Sequence, residues 1–285
     1  MREGKPSFTA EAVAAARAMT GVDAVAPDLV DGPLSWVVRA GRLGPGAPLA
    51  INLASLGLLD HIEMRTRAID AAVREGVTAG AVQLVLLGAG LDARAWRMPE
   101  LSCVRVFEVD FPATQATKRA RIGARTPTAK SVRFVAVDFA RDSLADQLQL
   151  AGHDADAPTF WIWEGVTPYL PFDATRSTLT AIGARSSSGS RLAVTYATPA
   201  AARLGPGLLR VGLLGFRMMG ESIVGLVGVP AMHAALGEVG FRVLDDTSAR
   251  DWASRHGRGR PRLMLVEERL AVAVIDGPPR ASRAA

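Results

Sequence analysis

The chain has 285 residues, 49% of them hydrophobic and 21% charged, with a net charge of +5 from 33 Lys+Arg against 28 Asp+Glu. That balance excludes wholesale disorder and supplies enough apolar material for one large domain, or a core with an appended unit. The positive charge is mostly arginine and is scattered, with no basic run interleaved with aromatics, which argues against nucleic-acid binding.

In chain order, Thr9 is placed to cap a helix over 9–19, with Glu11 in its first turn. Residues 27–40 predict a short helix, and 41–50, GRLGPGAPLA, reads as a Gly/Pro loop. Residues 56–75 show helical periodicity through Leu59, Ile62, Ile69 and Val73, and carry Arg65 and Arg67. Residues 1–80 are thus expected to form a helical cover over a core at 81–275. In that core, strands are predicted at 82–87, 104–109, 132–137, 159–163, 191–196, 241–246 and 262–270. Helices are predicted at 112–124, 143–151, 173–185 and 230–239. The alternation implies an α/β fold with a doubly wound, mostly parallel seven-stranded sheet. The last two strands, separated by the turn-rich TSARDWASRHGRGRP, are expected as an edge hairpin, which makes the last strand antiparallel. Segment 197–229 interrupts the rhythm after the fifth strand. It is apolar, glycine-rich and contains Met218 and Met219, so a helical insertion is expected, either a lid or a packed connection. The tail 276–285 is expected to be disordered.

The single cysteine, Cys103, excludes an internal disulfide and is expected as a small buried hydrophobe at the start of a strand. The N-terminal MREGKPSFTAEAV lacks an apolar signal core. No stretch is long, apolar and uninterrupted enough to span a bilayer. A cytoplasmic location without membrane contact is expected.

The most informative stretch runs from Val82 to Lys118. A buried strand enters GAGLDA, Gly88 to Ala93, and a second strand ends in Glu108-Val109-Asp110 before Pro112 opens a helix. Glycines at such a turn let a ligand approach the backbone, and an acid ending the next strand can accept hydrogen bonds from ribose hydroxyls. The pattern also fits a nicotinamide dinucleotide. Asp92 argues against one, because a carboxylate beside a pyrophosphate repels it. It tolerates S-adenosylmethionine (SAM), which carries a sulfonium and an ammonium and no phosphate. The third strand ends in Asp138-Phe139, a carboxylate for an adenine amine with an aromatic beside it. The fourth ends in Glu164, an acid for the ammonium or sulfonium end. Asp92, Asp110, Asp138 and Glu164 therefore occupy the carboxyl ends of successive strands, where open α/β sheets bind ligands.

GAGLDARAWR, FEVDFP, VDF and EGVTPYL, in this order, resemble the leucine carboxyl methyltransferase family of class I SAM-dependent methyltransferases, and its actinobacterial and polyketide-tailoring branches in particular. PSFTAEAVAAARA and MRTRAID extend the resemblance from about Pro6 to the last strand. The resemblance implies a Rossmann-like methyltransferase fold with SAM as cofactor. It implies that Arg65, with Arg67 as the alternative, pairs with the methionine carboxylate. Gly88 and Gly90 give close backbone approach, and Asp110 binds ribose, with Glu108 two residues back on the same side of the strand. Asp138 and Phe139 contact adenine, and Glu164 lies beside the methionyl amino group. Phe139 replaces the family's usual leucine and Ala93 its threonine, and residues 27–50 match poorly.

The expected activity is O-methylation, with a carboxylate of a small-molecule or natural-product substrate as acceptor. A carboxylate is already ionised at neutral pH and needs no base, whereas a phenol or alcohol benefits from one. Of the four histidines, His61 and His233 are the candidates for such a base. Tyr169 and Tyr196 can present hydroxyls to a substrate. Arg94 and Arg97 can hold an acidic substrate or form salt bridges. No His/Cys spacing suggests a metal. Two other readings stay open: a scaffold that keeps SAM without transferring methyl, and a nicotinamide-dependent oxidoreductase. The oxidoreductase needs an acid/base group such as a Tyr-x-x-x-Lys pair, and the only lysines are Lys5, Lys118 and Lys130.

Overall fold

A computed structural model describes residues 8–41, 44, 46–139, 141–199, 223–257, 259 and 267–276. Seven strands form one sheet in the order β3-β2-β1-β4-β5-β7-β6. They are β1 (Gln83–Leu87), β2 (Arg105–Asp110), β3 (Ser131–Ala136), β4 (Thr159–Trp163), β5 (Arg191–Ala197), β6 (Phe241–Ser248) and β7 (Glu268–Ile275). The first five are parallel. β7 inserts between β5 and β6, antiparallel to both.

The central strands are apolar on both faces because both faces are covered. In β1, Leu84 and Leu86 enter one core and Val85 and Leu87 the other. The first core is roofed by α1 (Phe8–Thr20), α2 (Ala26–Leu29), α3 (Gly32–Gly41), α5 (Leu58–Thr78), α6 (Arg94–Arg97) and α7 (Pro112–Ile122). The second is covered by α8 (Leu144–Leu150), α9 (Phe172–Ala184) and α10 (Val229–Glu238). α4 (Gly46–Ala54) leads into α5, and α11 (Ala249–His256) packs against α5 from the β6–β7 connection.

The long helix α5 positions the site. Gly76, near its C-terminal end, meets Phe160 at the start of β4; a Cβ there would lie 2.1 Å from the ring. Arg65, three turns earlier, lies under Gly165 just past the end of β4. The N-terminal part of α5 therefore stands at the carboxyl edge of the sheet.

Several expectations are corrected. Thr9 lies inside α1, and its hydroxyl is buried without a hydrogen-bond partner among the described residues. The helix expected at 27–40 breaks in two around Gly32-Pro33, because proline restricts the residue before it and favours a new helix start. The Gly/Pro loop at 41–50 instead opens α4, whose Pro48 falls in the tolerated first turn. The turn-rich segment after β6 contains α11, started by a capping box in which Ser248 and Asp251 bond reciprocally. The last strand is described from Glu268 and runs on to Ile275, past the expected end at 270; residues 262–266 lie outside the described residues. Cys103 is exposed and ends a 3-10 turn. Most of the expected insertion, 200–222, and the tail beyond 276 also lie outside the described residues.

Candidate cofactor site at the carboxyl edge

β1 delivers its chain directly into the glycine turn. Gly88 (φ 66°) and Gly90 (φ 50°) both take left-handed backbone conformations that side chains resist. Space is equally restrictive: a Cβ on Gly88 would lie 2.6 Å from Val166 Cγ2, and one on Gly90 3.2 Å from Ala10 Cβ of α1. Helix α1 thus reaches across the turn. At the end of β2, Asp110 is half-buried. Its Oδ2 accepts from the Gly90 N–H at 2.5 Å and its Oδ1 from the Phe111 N–H at 2.6 Å. Burial raises its pKa, and these two amides partly oppose that.

Behind it, Glu108 is buried against Lys118, with Oε2 2.6 Å from Nζ. Burial pushes the Glu108 carboxyl up to about 7, against the pull of Lys118. Past β3, the Asp138 N–H donates to Asp142, and Arg141 approaches the Asp138 carboxylate at 3.8 Å. Phe139 is 52% exposed, so this end of the site is the open one.

The other end is closed by an ionic network. Glu164 Oε1 accepts from Arg17 Nη2 at 2.7 Å and Arg65 Nε at 3.0 Å, and its Oε2 from Arg94 Nη1 at 3.0 Å. Asp92 pairs with Arg94 and with Arg17. Arg94 also pairs with Asp70, which is shared with Arg97, and Arg97 pairs with Asp23. Arg65 Nη1 reaches Glu268 at 2.9 Å, and Glu268 in turn meets His61 Nε2 at 2.6 Å. Burial disfavours ionisation of Glu164 and Asp92, yet the arginines overcome it and hold both below the ordinary carboxylate range. Burial likewise opposes the charges of Arg65 and Arg94, and their acid partners outweigh it and raise both.

The structure therefore brings Arg65, Gly88, Gly90, Asp92, Asp110, Glu164 and His61 to one edge, with Asp138 and Phe139 at its open end. It corrects one premise: Asp92 and Glu164 are not bare carboxylates waiting for a cation but are already paired with arginine. Arg67 pairs instead with Glu63, one turn back on α5. Arg94 and Arg97 serve as salt-bridge residues. Tyr196 and His233 are brought together elsewhere. Both bond Asp246 Oδ2 at 2.6 Å, and Arg269 holds Oδ1, on the face covered by α10. Burial, then Asp246, raises the Tyr196 pKa, which makes it a poor proton donor. Tyr169 is half-buried in the turn Thr167–Tyr169.

Sequence reasoning missed Arg17, Asp70 and Glu268. Arg17 left a trace as a lone cation in an alanine-rich helix, and Glu268 as an acid opening an apolar strand. Asp70 left none. Among the described residues no acid or histidine group could hold a metal, and no helix is long and apolar enough to cross a membrane.

The chain is similar to proteins of known fold. A Thermobifida fusca methyltransferase structure superposes with a TM-score of 0.62 at 17% identity over 97% of both chains. A DUF574 family protein from Streptomyces avermitilis gives 0.59 at 17% identity, covering 92% of this chain and 96% of that one. Among curated relatives, proteins named as SAM-dependent methyltransferases match from Streptomyces coelicolor (40% identity, 55% of this chain, 57% of that one) and from Frankia alni (37%, 67% and 68%). The chain spans a little over half the length of the Streptomyces coelicolor relative. The family described as leucine carboxyl methyltransferase matches residues 10–183, more than half of the sequence. On that match, and on a seven-stranded sheet whose carboxyl edge gathers the motif residues, the chain belongs to the leucine carboxyl methyltransferase family.

Proposed function

We propose that this chain transfers a methyl group from SAM to an oxygen of a small-molecule acceptor. The observation that carries this reading is the charge at the carboxyl edge. Among the described residues, Asp23, Asp70, Asp92, Glu164 and Glu268 share four guanidiniums, those of Arg17, Arg65, Arg94 and Arg97, with Glu268 also bonded to His61, which leaves one carboxylate in excess in this network. Such an edge suits a cofactor of net positive charge and opposes a pyrophosphate. The names of the relatives support the same cofactor.

The residues present fit SAM. Gly88 and Gly90 offer backbone, Asp110 its carboxylate to the ribose hydroxyls, and Asp138 and Phe139 a polar and an aromatic contact for adenine. Arg65 keeps Nη2 outside its two ion pairs. Arg94 Nη2 is buried without a partner among the described residues. These are the spare donors for the methionine carboxylate. SAM supplies a methyl group activated by its sulfonium. The protein's part is alignment and exclusion of water.

A carboxylate oxygen is the acceptor that the family's description suggests. Such an acceptor needs no base, and a natural-product acid is the first class to screen. A phenol or alcohol is favoured by one specific observation, the ring nitrogen of His61 that has no partner among the described residues.

Calorimetric titration with S-adenosylhomocysteine (SAH), SAM and nicotinamide dinucleotides tests the reading. The first two should bind and the dinucleotides should not; the reverse would refute it. Tight SAH binding with no methylated product across a broad acceptor panel would instead identify a tailoring enzyme that keeps the cofactor without transferring methyl.

A further inference from the structure

His61 stands one helical turn beyond Arg65 on α5, so it projects further toward the carboxyl edge. Glu268 opens β7 opposite Ala197, the last residue of β5, which puts it at the same edge. Glu268 Oε2 lies 2.6 Å from His61 Nε2 and 2.9 Å from Arg65 Nη1. Burial alone would raise the Glu268 carboxyl, but Arg65 and His61 pull it down to about 2, so it is ionised. An ionised carboxylate only accepts. His61 Nε2 must therefore carry the hydrogen, and a neutral ring presents Nδ1 as a lone pair.

That Nδ1 is buried and meets no partner among the described residues. The ring is 2% exposed and packs 5.6 Å from Trp252, whose indole N–H is taken by Thr247. His153 shows what a satisfied core histidine looks like in this fold. Its Nε2 pairs with Thr159 and its Nδ1 accepts from Arg185. His233 also has a carboxylate partner, Asp246, but lies on the other face of the sheet, outside the ionic network. His61 alone among these three combines a carboxylate-fixed tautomer, a buried nitrogen without a partner among the described residues and a link through Glu268 to Arg65, and through Arg65 to Glu164.

We propose that His61 is a catalytic residue whose Nδ1 receives the proton of an acceptor hydroxyl, which makes a phenol or alcohol the substrate class. The proposal rests on the SAM reading above. As the acceptor oxygen bonds to the methyl carbon, the carbon–sulfur bond breaks and its electron pair returns to sulfur. The hydroxyl proton moves to His61 Nδ1, and the resulting imidazolium is held by Glu268. No oxidant, reductant or metal is needed. The burial of the ring keeps bulk water from Nδ1.

The test uses the full chain with 15N-labelled histidine, loaded with SAH. The expected spectrum shows His61 protonated at Nε2 and bare at Nδ1. Addition of 4-nitrophenol should move the Nδ1 resonance, and the matched 4-nitrobenzoate should not. A ring protonated at Nδ1 overturns the proposal with no acceptor in hand, as does a ring that benzoate perturbs and phenol does not. With labelled SAM and a panel of phenols and carboxylic acids, the wild type should form ethers, and His61→Gln should lose them while still binding SAH. Ester formation that survives in His61→Gln would also overturn it. Loss of SAH binding by the wild type would instead sink the cofactor reading, and the tautomer measurement remains decisive for His61 in either case.

Discussion

Lys118→Met tests whether charge holds the buried pair behind the ribose strand. Lys118 Nζ lies 2.6 Å from Glu108 Oε2, with both side chains 1% exposed, and it also sits 5.3 Å from the Trp96 ring centroid. Glu108 Oε1 has no partner among the described residues. Methionine keeps the stem and removes the charge, so a lone buried carboxylate is left behind. Breaking one side of such a pair costs about 3–5 kcal/mol. Taking the lower figure, the midpoint of thermal unfolding should fall by roughly 6–10 °C. The loss should depend on pH, and its sign follows from Glu108. In the unfolded chain this carboxyl releases its proton near 4.5, whereas the native state holds it to about 7. Between those values the native state binds more protons. The contribution is therefore full below 4.5 and lost as the pH rises through 7, at about 1.4 kcal/mol per pH unit. Without Lys118 the opposing pull disappears and the window extends upward. Lys118→Met should cost about 1.4 kcal/mol more at pH 8 than at pH 5 in calorimetric melts, from the one unit between pH 7 and 8 over which the two forms part. A second substitution, Glu108→Gln, should recover most of the loss at pH 8, because no charge is then left in the core. Equal destabilisation at both pH values, or no recovery in the double variant, would refute the reasoning.

Arg17→Met should loosen α1 selectively, because Glu164 keeps Arg65 and Arg94 and Asp92 keeps Arg94. Amide exchange over 8–20 should speed up about tenfold, equivalent to roughly 1.4 kcal/mol, with β1 and β4 unchanged; a uniform change would count against the latch. Gly88→Ala combines a left-handed backbone with a Cβ 2.6 Å from Val166 and should weaken SAH by more than about tenfold. Gly237→Ala, in open space on α10, should leave SAH affinity unchanged, and a similar loss in both would remove the steric argument. Asp110→Ala should weaken SAH and adenosine alike by about a hundredfold, as expected for two hydrogen bonds to a charged group. Wild-type affinity in that variant would sink the ribose assignment.

The alternation of apolar strands and helices was enough to read the parallel half of the sheet, and Thr159–Trp163 falls where its apolar run predicts. The errors cluster where short-range chemistry competes with composition. Pro48 reads as a breaker yet sits in the first turn of a helix, and Ser248 with Asp251 starts α11 inside a segment dense in turn residues. β7 runs past the expected end at 270 because 270–275 stays apolar, and periodicity alone does not locate the last hydrogen-bonded residue. At the site, the strand-end acids were legible because each belongs to a local motif. Their partners were not. Arg17 meets Glu164 across 147 positions and Arg65 meets Glu268 across 203, and no local pattern encodes such pairings. The premise of an uncompensated Asp92 failed for the same reason.

Those long separations bear on how the protein is made. At about 5–20 residues per second, Arg65 leaves the ribosome roughly 10–40 s before Glu268. During that interval the early strands can pair and the glycine turn can form, yet His61 and Arg65 still lack the carboxylate that binds them both. A chain arrested before β7 would thus expose the edge of β5 together with an incompletely matched ionic cluster. Binding of SAH during synthesis should begin only once β7 has emerged, so cofactor capture marks the end of folding rather than an early step in it.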